Sequence, residues 1–164
     1  MRKRKKVVVK GIVLAVLFVC VVITWFSIEF ILPVRTVCNR DWLYSDFQED
    51  YALRKKIRNA CHKILRYRIG NHHDAFIAII EVGDKDSIPY LIRALKWQHV
   101  EHKDAVAKRE LVPCTFKHCV DALEKLAGKK LGWEYETWED WWEQTGRHLP
   151  FDEEKGHLIL QDEE

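Results

Sequence analysis

The chain has no Gly-x-Ser-x-Gly nucleophile elbow, no glycine-rich loop to cradle phosphate and no His-Glu-x-x-His pair. The motifs that carry acyl transfer, nucleotide binding and zinc hydrolysis are therefore missing, and no catalytic residue is expected. It also lacks a surplus of one charge. Lys and Arg number 27 against 25 Asp and Glu, a formal net charge of +2. Even that is uneven, because Arg2, Lys3, Arg4, Lys5, Lys6 and Lys10 all precede the first acid, Glu29. With those six bases and that one acid set aside, 21 bases face 24 acids, a net charge of −3. A slightly acidic body lacks the basic stripe that displaces counterions from a phosphate backbone, so no nucleic-acid partner is expected.

The first feature present is a run from Gly11 to Ile28 without a charge, extended past Glu29 by Phe30, Ile31 and Leu32. About 20 apolar residues cross a bilayer, and a domain made from the remaining 130 or so residues has no interior to surround a helix apolar on every side. A transmembrane helix over 11–32 is expected. A cleaved signal peptide fits less well, since the apolar run is too long and no small-x-small site ends it. The Leu17-Phe18-Val19-Cys20 stretch departs from a lipoprotein signal at Val19. The basic residues of 1–10 place the N-terminus in the cytoplasm by the positive-inside bias, with the domain exoplasmic or periplasmic and the chain single-pass in the cell (inner) membrane. Arg35 and Arg40 beyond the span are offset by Asp41 and Asp46. Trp25, Trp42 and Tyr44 fit interfacial anchoring, with packing on the domain open to Trp42 and Tyr44. Pro33 is expected to end the helix, leaving a linker over 33–45.

Helical periodicity organises the rest. Leu53, Ile57, Ala60, Cys61, Ile64 and Leu65 share one face of a helix within Asp46 to Leu65 that ends near Gly70, with Arg54, Lys55, Lys56, Arg58, Asn59 and Lys63 on the remaining surface. Ala75, Phe76, Ile79 and Ile80 mark a second helix over His72 to Val82. Gly83 is placed to supply a left-handed stop, Asp86 or Ser87 to cap the next helix, and Pro89 to occupy its first turn. Ile88, Leu91, Ile92 and Leu95 form that helix's buried stripe. Gln98 to Val112 reads as a partly helical insertion. After Pro113, Thr115 caps a helix to Ala127 with Phe116, Cys119, Val120, Leu123 and Leu126 inward, ended by Gly128. Thr137 with Asp140 approximates a capping box ahead of Trp138, Trp141 and Trp142. From 147 to 164 the chain is a polar, acidic tail with a brief Leu158-Ile159-Leu160 run.

Two stretches carry a resemblance. Gly83 to Trp97 resembles the second half of a HEAT repeat. Ala122-Leu123-Glu124-Lys125-Leu126-Ala127-Gly128, followed by Gly132-Trp133 and Trp138-Glu139-Asp140-Trp141-Trp142, resembles the closing unit of bacterial HEAT-repeat proteins, departing at Ala127 and Leu131. The resemblance spans roughly 72–146 and implies an all-α fold in which a transmembrane helix precedes a short HEAT-like helical-hairpin solenoid over 46–146. Solenoids share a core among at least three units, so the helix from Asp46 and the tryptophan helix would serve as caps. Such domains are mostly interaction modules, which implies protein binding rather than chemistry.

Candidate sites follow from residue type. Trp97, Trp133 and Tyr135 are the aromatics best placed to line a binding groove. Cys114, His118 and Cys119 cluster in sequence, with Cys61-His62 and His72-His73 in reserve, but Cys-x4-Cys lacks zinc-knuckle spacing, and no metal or cofactor is expected. Outside the cytoplasm thiols oxidise, and Cys38, Cys61, Cys114 and Cys119 leave three full pairings open, Cys61 with Cys114 among them. Glu81, Asp84 and Asp86 could supply acids beside His72, His73 and Asp74. The reading taken from all this is a non-catalytic, membrane-anchored scaffold that binds another protein. The alternative is an exported metal- or thiol-dependent redox protein using Cys114, His118 and Cys119.

Overall fold

From Arg2 to Cys38 the backbone is helical throughout, and its course beyond the apolar run decides how the whole chain is held. The computed structural model describes residues 2–39, 42, 49–70, 72–107 and 114–160, with backbone alone for 2–11 and 99–107. Helix α1 (Arg2–Phe26) passes through a π-helical turn (Ser27–Ile31) into α2 (Leu32–Cys38). Ile12–Cys38 is long and apolar enough to cross a membrane, and its most apolar window is not buried inside the molecule.

Pro33 does not end this helix. It stands in the first turn of α2, directly after a π-helical turn. The wider π turn before it relieves the crowding that a proline ring imposes on the preceding carbonyls, and Leu32 N–H bonds back to Ser27 O. Nor is 33–38 a linker: Pro33 and Val37 are buried, Val37 completely. Trp42 is buried too and donates from Nε1 to Val37 O at 3.4 Å, so it packs on the domain, whereas Trp25 is exposed on the apolar helix. Arg40, Asp41, Tyr44 and Asp46 lie outside the described residues.

Helix α3 (Tyr51–Tyr67) runs antiparallel to α2. Lys63 Nζ donates to Glu29 Oε1 at 2.8 Å, and the Tyr67 ring lies 5.1 Å from Phe30, while Leu53 and Lys56 stand beside Asn39 and Arg35. Asp50 caps α3 by accepting from Leu53 N–H at 2.9 Å. After α3 the chain turns at Gly70, whose φ is +66° and where an added Cβ would come within 2.7 Å of Val34. The close seat of α2 against this turn therefore requires glycine.

Helix α4 (His72–Val82) returns antiparallel to α3 and ends at Gly83. The left-handed stop expected there is absent. Gly83 has ordinary φ, but an added Cβ would lie 2.5 Å from Ile79 O and 2.9 Å from Leu126 Cδ1, so the glycine admits the neighbouring helix. Asp84, rather than Asp86 or Ser87, caps the next element. It closes a reciprocal box with Ser87 around the 3₁₀ turn Lys85–Ser87, which feeds into α5 (Ile88–Ala107). The partly helical expectation for 98–112 holds as far as Ala107, with 108–113 outside the described residues.

Helix α6 (Cys114–Ala127) begins one residue before Thr115, which lies in the helix rather than capping it. It runs parallel to α4, with His73 beside His118 and Gly83 beside Leu126, and antiparallel to α5. Helix α7 (Tyr135–Gln144) starts after Glu134, so Thr137 also sits inside the first turn and no side chain caps this helix. Trp138 is wholly buried, donating from Nε1 to Gly132 O at 2.9 Å, with the Trp141 ring edge-on to it.

The tail folds back as far as Leu160. A 3₁₀ turn (Gly146–His148) and a two-stranded antiparallel hairpin, β1 (Phe151–Asp152) with β2 (His157–Leu158), bury Leu149 and Leu158 against the helices. Lys85 Nζ bonds to Leu149 O at 2.5 Å and ties this return to the start of α5. One apolar core joins Val37 of α2 through α3 to α6 and on to Trp138 and Leu158.

Candidate functional site

Helix α3 has a cleft on each side. The first lies between α3 and the start of α5, has a volume of about 520 Å³, and is lined by Tyr51, Lys55, Arg58, Asn59, His62, Asp84, Asp86, Pro89 and Tyr90. Arg58 and His62 are one helical turn apart and reach the cleft floor together. The Arg58 guanidinium pairs with Asp84 Oδ2, and both side chains are largely buried. Asp84 Oδ1 accepts from Ser87 N–H at 3.2 Å and from its hydroxyl at 3.1 Å. Ser87 Oγ accepts from Asp84 N–H at 3.2 Å. His62 Nε2 lies 2.8 Å from the same oxygen, and its ring stacks on Tyr90 at 4.3 Å.

Burial pushes the His62 pKa down to about 4, the nearby Arg58 charge pushes it further the same way, and Asp86 partly opposes them. The ring is therefore neutral near pH 7. A proton on Nε2 donated to Ser87, whose own hydroxyl goes to Asp84, satisfies every contact in the group. This Ser-His-Asp set is not a hydrolytic triad. Ser87 is completely buried, and Asp84 touches the serine rather than the histidine, so nothing orients His62 as a base toward an accessible nucleophile.

The second cleft, between α2 and α3, has a volume of about 460 Å³ and is lined by Leu32, Arg35, Thr36, Asn39, Trp42, Leu53, Lys56 and Ile57. Its wall is mainly apolar. Arg35 and Lys56 are exposed and pair with no carboxylate among the described residues.

The aromatic residues singled out from sequence do not make one groove. Trp133 stacks on Phe116 at 5.4 Å, Tyr135 lies under Lys96 Nζ at 4.8 Å, and Trp97 lies under Arg68 and beside His72. Cys114 is exposed at the start of α6, whereas Cys61 and Cys119 are buried thiols whose pKa values burial raises strongly. Cys119 Sγ contacts Leu91 O at 3.4 Å, inside the α5 and α6 interface. Cys61 and Cys114 are both free thiols. His118 is half-buried, its ring 4.8 Å from His73 and its Nδ1 3.8 Å from Asp121. His72 and His73 are half-buried at the start of α4 and Asp74 is buried. No group of three His, Cys, Asp or Glu able to hold a metal occurs among the described residues.

The residues that do converge, Arg58, His62, Asp84 and Ser87, were legible only in part. Asp84-x-x-Ser87 ahead of Pro89 carries the capping-box signal, and Arg58 with His62 marks a polar break beside the apolar stripe of α3. No protein-family model, curated protein or solved structure matches this chain.

Proposed function

We propose that the protein is a membrane-mounted, HEAT-like binding module whose α3 and α5 cleft takes another protein. The observation that carries this reading is the cleft itself. Its floor is a network in which Arg58 pairs with Asp84, Asp84 with Ser87 and Ser87 with His62, Arg58 Nε alone being buried without a partner, so the side chains are held in place by one another. Its rim carries the exposed Tyr51, the half-buried Tyr90 and charges of both signs in Lys55 and Asp86, a composition suited to protein contacts.

The alternation of helices supports the repeat reading. Helices α3, α5 and α7 are neighbours in order, as are α2, α4 and α6, which is how stacked hairpins are arranged. Taken so, α2 with α3 is a first hairpin, and the helix leaving the bilayer is part of the repeat stack. The basic start places the N-terminus in the cytoplasm and the domain on the opposite face.

A photo-crosslinking residue placed at Tyr51 or Asp86 in intact cells is expected to yield a discrete protein adduct, while the same residue at Lys130 on the far surface yields none. Absence of protein adducts from both cleft positions removes this reading. A periplasm-active reporter enzyme fused after Glu164 is expected to be active, and a cytoplasm-active one silent.

A further inference from the structure

The second cleft has a geometry of its own. The uncharged run from Gly11 to Ile28 is 18 residues, about 27 Å of helix at 1.5 Å per residue, close to the hydrocarbon thickness of a bilayer. With α1 in a bilayer, the Glu29–Lys63 pair then marks the upper edge of the apolar layer, and Arg35 stands six residues, about 9 Å, further along α2, in the outer headgroup region. Because α3 runs antiparallel to α2, Lys56 lies level with Arg35 on the opposite wall. The same pairing sets Lys63 against Glu29 one step lower, where the acid is neutralised. The Arg54-Lys55-Lys56 run thus divides: Lys55 belongs to the α3 and α5 cleft and Lys56 to this one.

We propose that the α2 and α3 groove binds one anionic phospholipid, its phosphate held between Arg35 and Lys56 and its glycerol and upper acyl carbons against Leu32, Leu53 and Ile57. Charge complementarity and position select this occupant. The groove opens from the end of the apolar helix, its wall is mainly apolar, and its two cations have no carboxylate partner among the described residues, so a diester phosphate meets both requirements at once. Thr36 and Asn39 add polar groups on the α2 wall. The site rests on the reading that α1 lies in a bilayer, and it holds a single lipid, so the leaflet on the domain's side need only contain an anionic species.

The test uses the full chain in nanodiscs of equal phosphatidylglycerol and phosphatidylcholine, with retained lipid weighed by native mass spectrometry. Wild type is expected to keep one phosphatidylglycerol in preference to phosphatidylcholine. R35Q with K56Q is expected to lower that preference about ten-fold, and K130Q to leave it unchanged. A photo-crosslinker at Thr36 should gain the mass of a lipid. Incorporation into nanodiscs without an anionic preference, or a protein adduct at Thr36, overturns the groove assignment and leaves the membrane reading standing. Failure of wild type to incorporate at all overturns both. Both substitutions fall on exposed side chains, and an unchanged circular dichroism spectrum confirms that the variant is folded.

Discussion

The two clefts share α3 as a common wall and yet are opposites. Between α3 and α5 the polar floor groups pair in a chain, Arg58 with Asp84, Asp84 with Ser87, and Ser87 with His62, with Arg58 Nε left buried without a partner. Between α2 and α3 the wall is mainly apolar and two cations, Arg35 and Lys56, have no carboxylate partner among the described residues. On the binding-module reading the first cleft is held in shape by its floor and recognition falls to its rim. On the lipid proposal the second cleft's charge is neutralised by its occupant. Groups paired with one another fix shape, and an unneutralised pair favours occupancy.

Substitutions that disturb one cleft and spare the other sharpen this contrast. The largest expected effect is Arg58→Ala, which leaves the Asp84 carboxylate buried and unpaired and costs about 3 kcal/mol, read as a lowered midpoint in denaturant titration of the detergent-solubilised chain. Lys56→Ala, on the other wall of the same helix, should move that midpoint hardly at all.

Acid should act nearly as strongly, and only on the first cleft. The unfolded His62 takes a proton near pH 6.5 and the folded one near 4. Folding therefore excludes a proton between those values. Stability from this group is full above 6.5 and falls as pH drops toward 4, by roughly 3 kcal/mol. His62→Gln should flatten that part of the stability profile against pH, and an unchanged slope would refute the assignment.

Gly70→Ala tests the second cleft. Its Cβ would strike Val34 while φ stays positive, prising α2 from α3 at a cost of about 2 kcal/mol and, by the lipid proposal, lowering phosphatidylglycerol retention. The smallest effect on folding is expected from Tyr51→Ala at the exposed rim, within about 0.5 kcal/mol of wild type. It should nonetheless weaken partner crosslinking at Asp86.

Much of this architecture is written in local pattern. The stripes Ala75, Phe76, Ile79 and Leu123, Leu126 are buried as their periodicity predicts, because a helix period is a property of neighbouring residues. What escaped is whatever depends on tertiary placement. Val34 and Val37 stand between Pro33, Arg35 and Thr36 in a stretch read as a linker, so their docking on the domain leaves no mark in local pattern. Leu149 stands alone and Leu158 opens a brief apolar run in an otherwise polar tail, and only contact with α6 and its neighbours explains their burial. Gly83 was readable as necessary but not as the seat of Leu126. Arg58 and Asp84 are 26 residues apart, and His62 and Ser87 25, so no spacing rule could join them.

The unbroken passage from α1 to α2 has a mechanical meaning. The π turn, where a helix could flex, is clamped by Lys63 on Glu29 and Tyr67 on Phe30. With α1 in a bilayer, the domain then rides the helix as a rigid lever. A tilt of about 20° would carry a point 10 Å from the pivot sideways by roughly 3.5 Å. Bilayer thickness would thereby set the angle at which Tyr51 and its cleft face a partner, making membrane composition an input to binding geometry.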